Sequence, residues 1–282
     1  MLDRSEVGKR GYLHEGFRLF RLKDSRAQKL EYHYHEFDKL ILLLGGKVTY
    51  VIEGVTYFLR PWDILLVQHD MIHRPIIDPS EPYERIVLWL DPNWISARSN
   101  HDAPLDTCFD TVHSRGFHLL RTSPEQRLQY MQLFRQLEEA LHSTEFAAPQ
   151  MAELLCQQLM IAINREVLNS RTALEEQDSY RIDPKIEEIR KYIATHLSED
   201  LSVDTLSKTF FLSRYYLMHR FKDVTGYTLH QYISQKRLLH AGELIRGGMP
   251  VMKAAEAAGY SEYSTFLRAF QNTFHMSPKE FR

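Results

Sequence analysis

Cysteine is almost absent from this chain. Cys108 and Cys156 are the only two in 282 residues, which excludes a disulfide scaffold and makes a reducing cytoplasm the natural compartment. Long apolar runs are missing as well. The longest are segments such as residues 40–44 and 64–67, far below the ~20 residues that span a bilayer, so no membrane role is expected. The opening MLDRSEVGKR is charged and has no apolar signal core. The chain also lacks a phosphate-binding glycine loop, a nucleophile elbow and a paired-carboxylate signature, the usual supports for an enzyme. An excess of either charge is lacking overall, the net being −2, but charge is unevenly spread. From Leu201 onward 11 Lys/Arg face 6 Asp/Glu. A basic tail on an acidic body suggests a polyanion-binding module joined to a domain that is not one.

What the chain does have is a repeat. LSVDTLSKTFFLSRYYLMHRFKDVTGYTLHQY, from Leu201, is echoed by PVMKAAEAAGYSEYSTFLRAFQNTFHMSPKEF, from Pro250. Val203 answers to Val251 and Ser207 to Ala255, an offset of 48. Beyond the turn Leu217 answers to Phe266 and Phe221 to Phe270, an offset of 49. Two copies of one short helical unit read as a pair of helix-turn-helix units. In each, a short helix ends at a turn and a second helix begins at a capping serine, Ser213 in one copy and Ser261 in the other. Gly259 suits a C′ position that needs φ > 0.

With Leu217, Phe221, Phe266 and Phe270 facing inward, the outward residues are Ser213, Arg214, Tyr215, His219 and Lys222 in one helix. In the other they are Tyr263, Ser264, Thr265 and Arg268. Arginine can fork onto guanine, hydroxyls can bond base edges or phosphates, and aromatics can pack on thymine methyls. This set suits the major groove of double-stranded DNA. A solvated face is the bland alternative for either helix alone; the matched pair argues against it.

Upstream, short runs rich in Val, Ile, Tyr and Phe between Phe17 and Leu90 predict the strands of a small barrel or jelly roll. A hairpin turns at Glu53-Gly54, and one more strand is expected within 116–120. Then the period changes. Ser123-Pro124 opens a helix whose Leu128, Met131, Phe134, Leu137 and Leu141 form one stripe. A second helix is expected over 149–168, with Leu155, Leu159, Ile163 and Val167 in register, Met151 beside them, and an extra apolar set of Leu154, Met160 and Ile161. The two helices can pack on the barrel or pair with a second subunit, and both readings stay open. Residues 169–183 are polar and unpatterned, a linker; a helix resumes at Pro184 with Ile186, Ile189 and Ile193 on one face.

His33 and His35 alternate on one strand face, with Tyr32, Tyr34 and Glu36 on the other, and His73 lies forty residues on at the barrel mouth. Three imidazoles can hold a divalent ion, and they can equally hydrogen-bond an organic ligand or simply line the barrel.

At these residues two resemblances become specific. Over 186–282 the tail resembles the DNA-binding domain of the AraC/XylS family of bacterial transcription regulators. The residues that carry it are the first repeat, the Arg237/Ala241/Leu244 helix between the units, and AAEAAGYSEYSTFLRAFQNTFHMSPKEFR. The resemblance implies seven helices, with recognition helices near 213–224 and 262–273. Two places depart from the family. His219-Arg220 stands where an arginine and an apolar residue are common, and Gln271-Asn272 follows Phe270 where two lysines are common. Arg268 is therefore the expected base reader. The front resembles the cupin pattern of His-x-His with a distant His, except that Lys39 takes the place of its glutamate. Barrels of this kind often precede AraC-type DNA-binding domains and bind small molecules. That implies His33, His35, Lys39 and His73 as ligand-binding residues, with His33, His35 and His73 as metal candidates.

The expected architecture is α+β with two domains: a cupin-like barrel with two long helices, and an all-α domain with two helix-turn-helix units. Residues 1–168 form the ligand-sensing and dimerising part, 169–183 the linker and 184–282 the DNA-binding part. The expected function is a transcriptional regulator and not an enzyme. It binds promoter DNA as a homodimer, answers to a small-molecule effector, contacts RNA polymerase if it activates, and requires no cofactor. The alternative is a metal-binding cupin enzyme with a helical interaction tail.

Overall fold

A computed structural model describes residues 8–9, 11–24, 30, 32–100, 102–169, 180–274 and 277–281. They fall into two compact units, one ending at Arg181 and the other beginning at Ile182.

The first unit begins with strands β1 (Gly8–Lys9), β2 (Phe17–Asp24), β3 (His33–Tyr34), β4 (Asp38–Gly45), β5 (Val48–Ile52), β6 (Val55–Phe58), β7 (Ile64–Val67), β8 (His73–Ile77) and β9 (Tyr83–Leu90). Helices α1 (Pro92–Ala97) and α2 (Thr107–Arg115), strand β10 (Leu119–Leu120), helices α3 (Pro124–His142) and α4 (Ala148–Asn169) and strand β11 (Tyr180–Arg181) complete it. The strands form a six-stranded sheet, β1-β3-β8-β5-β6-β11, and a five-stranded one, β10-β7-β4-β9-β2. The apolar run LILLL of β4 follows from its place in the layers. Ile41 and Leu43 pack between the sheets with Tyr50, Ile52, Tyr57 and Val87. Leu40 and Leu42 face the other way, onto Phe134, Leu137, Leu159 and Ile163 of the helices. A strand covered on both faces has no polar positions to alternate.

Between β5 and β6, paired at Ile52 and Val55, Glu53 and Gly54 have φ of 48° and 84°. This is the two-residue turn that the right-handed twist of the strands favours. Helix α3 starts on a capping box of Ser123 and Gln126.

Its apolar stripe is not the expected one. Leu128, Met131 and Leu141 are exposed, and the buried face is Tyr130, Leu133, Phe134 and Leu137. The helix is turned so that the Tyr130 ring joins the core. Likewise α4 buries Ala152, Cys156, Leu159, Met160, Ile163 and Val167, while Met151, Leu154, Ile161 and Leu168 stay exposed. Burial pushes up the thiols of both Cys108 and Cys156. Helices α1 and α2 had no counterpart in the sequence reading. Strand β11 pairs with β6 at the sheet edge, so residues 180–181, expected in the linker, belong to the barrel. Residues 170–179 of that stretch, and residues 1–7 and 10 of the charged opening, lie outside the described residues.

The second unit contains α5 (Pro184–Thr195), α6 (Val203–Thr209), α7 (Arg214–Thr225), α8 (Leu229–Arg246), α9 (Val251–Ala257) and α10 (Tyr263–Phe274). Six helices are therefore present among the described residues where the resemblance implied seven. A single turn, in which the Glu280 and Phe281 amides donate to the Ser277 carbonyl, follows them. Asp183 caps α5 by accepting from the Lys185 and Ile186 amides, and Ile186, Ile189 and Ile193 are buried as one stripe.

Candidate functional site

Two places gather the chemistry. In the barrel, β3 and β8 pair at His33 and His73, so the register sets these rings side by side at 4.5 Å between centroids. His35 lies 5.0 Å from each. All three imidazoles are buried, and one ring nitrogen from each falls within 4.8 Å of the others. Nδ1 of His73 sits 2.9 Å from the Met71 carbonyl, which can only accept, so Nδ1 carries the proton and Nε2 is left as a bare lone pair. That Nε2 is sealed from solvent and has no hydrogen-bond partner among the described residues. Burial, then Lys39, then His33 and His35, hold the His73 pKa well below its ordinary value.

Lys39 faces this cluster from the other sheet, its Nζ 3.5 Å from His35 Nε2, and it keeps partial solvent access. Desolvation, followed by the charge of Arg85, lowers its pKa from 10.5 to about 7. Between about pH 10.5 and 7 the unfolded chain therefore holds a proton that the folded chain gives up. Stability falls as pH is lowered through that window and levels off below it. Lys39→Met is expected to flatten this slope in urea unfolding at stepped pH; an unchanged slope would contradict the assignment.

Aromatic residues that the sequence reading did not single out close the same end. Phe37 stacks on His35 at 4.5 Å and on Trp89 at 4.2 Å, and Phe20 meets the Trp89 edge at 4.7 Å. Nearby, Arg85 pairs with Asp24 at 2.6 Å and lies over the Tyr83 ring. The alternation of Arg85, Val87 and Trp89 along β9 was the available signal for these inward positions. Tyr32 and Tyr34, expected on the far strand face, are themselves buried, with the Arg74 guanidinium over the Tyr32 ring.

The second place is the helical pair. In the first unit α6 is capped by Ser202, and α7 by Ser213, whose hydroxyl accepts from the Tyr216 amide. In the second, α9 leads through Ala258 to Gly259 at φ 86°. Helix α10 starts one residue later than Ser261 would place it: Glu262 supplies the first accepting carbonyl, to the Phe266 amide at 3.1 Å. The turn thus holds residues 258–262 in the second copy against 210–213 in the first, which accounts for the slip from 48 to 49. Leu217 and Phe221 are fully buried on one recognition helix, Phe266 and Phe270 on the other.

The nine outward residues are all exposed, but they are not equally available. Arg214 is ion-paired with Asp204. Tyr215 and His219 stack at 3.9 Å, and His219 Nδ1 donates to the Tyr215 carbonyl. Arg220 reaches the capping Asp183 at 2.7 Å. Thr265 makes one long hydrogen bond to Glu262, at 3.4 Å. Lys222, Ser264 and Arg268 make no side-chain hydrogen bond or ion pair among the described residues.

Comparison with known proteins follows the same division. Residues 20–160 match the family described as AraC-like ligand binding domain, and residues 206–282 match a helix-turn-helix domain. The HTH-type transcriptional activator RhaS of Enterobacter sp. (strain 638) is 24% identical over 258 residues, covering 89% of this chain and 86% of that protein. The probable transcriptional regulator LumQ of Photobacterium leiognathi is 26% identical over 252 residues, covering 89% and 91%. Among solved structures, the C-terminal domain of AraT, a response regulator from Geobacillus stearothermophilus, superposes with a TM-score of 0.35. It is 28% identical and covers 36% of this chain and 86% of that one. With a ligand-binding domain ahead of a helix-turn-helix DNA-binding domain, the chain belongs to the AraC family of transcriptional regulators.

Proposed function

We propose that a small molecule held between His33, His35, Lys39 and His73 changes how α7 and α10 grip promoter DNA. The observation that carries this reading is the pairing of a converging, partly unsatisfied polar cluster with two exposed recognition helices in one chain. Ser213, Arg214, Tyr215, His219 and Lys222 meet one major-groove segment; Tyr263, Ser264, Thr265 and Arg268 meet the next. For the effector to act, it must bind one arrangement of the protein better than another. An electrophoretic shift assay at stated salt tests the reading. Promoter fragments are expected to be preferred over random duplex, with the preference altered by effector, and equal binding to both would sink it.

The protein acts in the cytoplasm as a homodimer and contacts RNA polymerase where it activates. Support for the dimer is the face of α4 turned to solvent, where Leu154, Ile161 and Leu168 recur every seven residues, with Met151 beside them. Apolar residues at that spacing form a seam between helices, and Gln158 and Arg165 between them would fix its register. Ile161→Glu is expected to weaken self-association by roughly 100-fold in sedimentation velocity, the size of one central hot spot. Unchanged association would remove α4 from the seam.

A divalent ion is a second occupant of the barrel. The donor set fits in part: three buried imidazoles supply nitrogen ligands, with Nε2 of His73 unpartnered, while Lys39 stands beside them where a fourth, anionic ligand would be welcome. Such an ion, when bound, would polarise an oxygen of the effector. The enzyme alternative rests on this cluster alone. Stoichiometric metal together with turnover that survives deletion of residues 184–282 would favour it.

A further inference from the structure

Among the described residues, neither Lys39 nor His73 has a carboxylate as an ion-pair or hydrogen-bond partner. Lys39 makes no ion pair among the described residues, and its one close polar contact is the His35 ring. The charge that acts on it is Arg85, itself a cation and already held by Asp24. The groups that act on His73 are Lys39, His33 and His35, again without a carboxylate. Asp38, the neighbour of Lys39 along β4, points to the opposite face and is bound by His69 through both its backbone amide and its ring. An amine without a carboxylate partner is costly to charge where water is scarce, and an anion brought beside it favours its protonated form.

Two further polar atoms at the same place are unmatched. The indole N–H of Trp89 is sealed from solvent and finds no acceptor, and His73 Nε2 finds no donor. Lys39 and Trp89 are direct cross-strand partners in β4 and β9, so their side chains leave the sheet side by side. His73 faces them from the other sheet, linked through the His35 ring, which lies 5.0 Å from His73 and 6.0 Å from Trp89. Lys39 and a neutral donor thus come from one sheet, and a lone-pair acceptor from the other.

We infer that the effector is a small organic hydroxy acid, its carboxylate received by Lys39 and the Trp89 N–H and its hydroxyl donated to Nε2 of His73. A carboxylate brings a negative charge beside Lys39 and accepts two bonds at once, and a charge-assisted bond is roughly twice as strong as a neutral one. The hydroxyl satisfies the bare imidazole nitrogen, which a simple acid would leave unpaired. A metal ion answers the lone pair alone and adds positive charge beside Lys39.

The inference rests on the barrel as effector site, and matched ligands separate the two. Full-length protein is titrated calorimetrically with salicylate and salicylamide, D-galacturonate and D-galactose, hexanoate, and zinc chloride. At least one hydroxy acid is expected to bind tenfold or more tightly than its neutral partner and than hexanoate. Lys39→Met should abolish that preference, and Trp89→Phe, which keeps the ring and removes the N–H, should weaken the acid several-fold. Equal binding of acid and neutral partner, with promoter binding altered by both, would keep the barrel as effector site and overturn the acid. Failure of both acids, or zinc binding without either, also overturns it. An acid that binds with the expected preference but leaves promoter affinity unchanged would uphold the ligand class and remove the coupling.

Discussion

Gly259→Ala is expected to unfold the second helix-turn-helix unit under conditions where the parent chain is stable. At φ 86° any side chain is strained, at a cost of roughly 1–2 kcal/mol. The larger effect is steric: a Cβ at this position would lie 2.2 Å from the Leu197 carbonyl oxygen and 2.9 Å from Nε of Arg237. Neither neighbour is free to move. Arg237 donates from Nε to that same carbonyl at 2.9 Å, and its second guanidinium nitrogen donates to the Glu199 carbonyl at 2.7 Å. Making room breaks bonds of a charged donor, worth about 1.5–3 kcal/mol each. Together a loss of about 4 kcal/mol is expected in urea unfolding of the full chain, and a loss below about 1 kcal/mol would show that the clamp gives way easily. The first repeat supplies a control at the matching position. Phe211 occupies that slot at φ 55° and is 94% exposed, so nothing overlies it. Phe211→Gly exchanges relief of strain for added freedom in the unfolded chain and is expected to change stability by less than about 1 kcal/mol.

Arg268→Ala is expected to cost the protein most of its sequence preference, by about 1–3 kcal/mol of discrimination, or roughly 5- to 150-fold in the ratio of promoter to random duplex affinity. The reason lies in what each recognition helix leaves available. Arg268 carries no hydrogen bond or ion pair among the described residues, so its five donors reach DNA with nothing to break first. On the first helix His219 is folded back on Tyr215, Arg214 is paired with Asp204 and Arg220 with Asp183. His219→Ala should therefore change preference by less than about threefold, with weaker binding to all duplexes alike. Competition titrations at fixed salt with the two variants decide the matter. A larger loss of preference from His219→Ala would reverse the assignment.

The helical repeat was the most legible part of the chain because its signal is redundant. Buried Leu217 and Phe221 recur as Phe266 and Phe270, and the one-residue slip is a real extra residue in the second turn. The barrel histidines were legible because strand alternation puts His33 and His35 on one face without further information. Their neighbour Trp89 was not. It comes beside Lys39 through the β4–β9 register, which joins residues fifty apart and leaves no local trace in the sequence. Helix α3 misled for a different reason. Its intervals of three and four fit two overlapping faces of the cylinder, and the face with Tyr130 and Leu133 is the one turned inward. Helices α1 and α2 are only 6 and 9 residues long, too short to impose a period of their own.

The two buried thiols bear on how this protein can be studied. Cys108 and Cys156 are both inaccessible, and burial keeps them protonated, so neither offers the thiolate that maleimides and nitroxide reagents attack. A cysteine introduced at the exposed Ser264 on α10 and another at the exposed Ser114 on α2 would then be the reactive pair. The native sequence thus serves as a labelling background without first removing its own cysteines. Spin labels at those two positions would let pulsed resonance spectroscopy follow the separation of the units as each candidate acid is added.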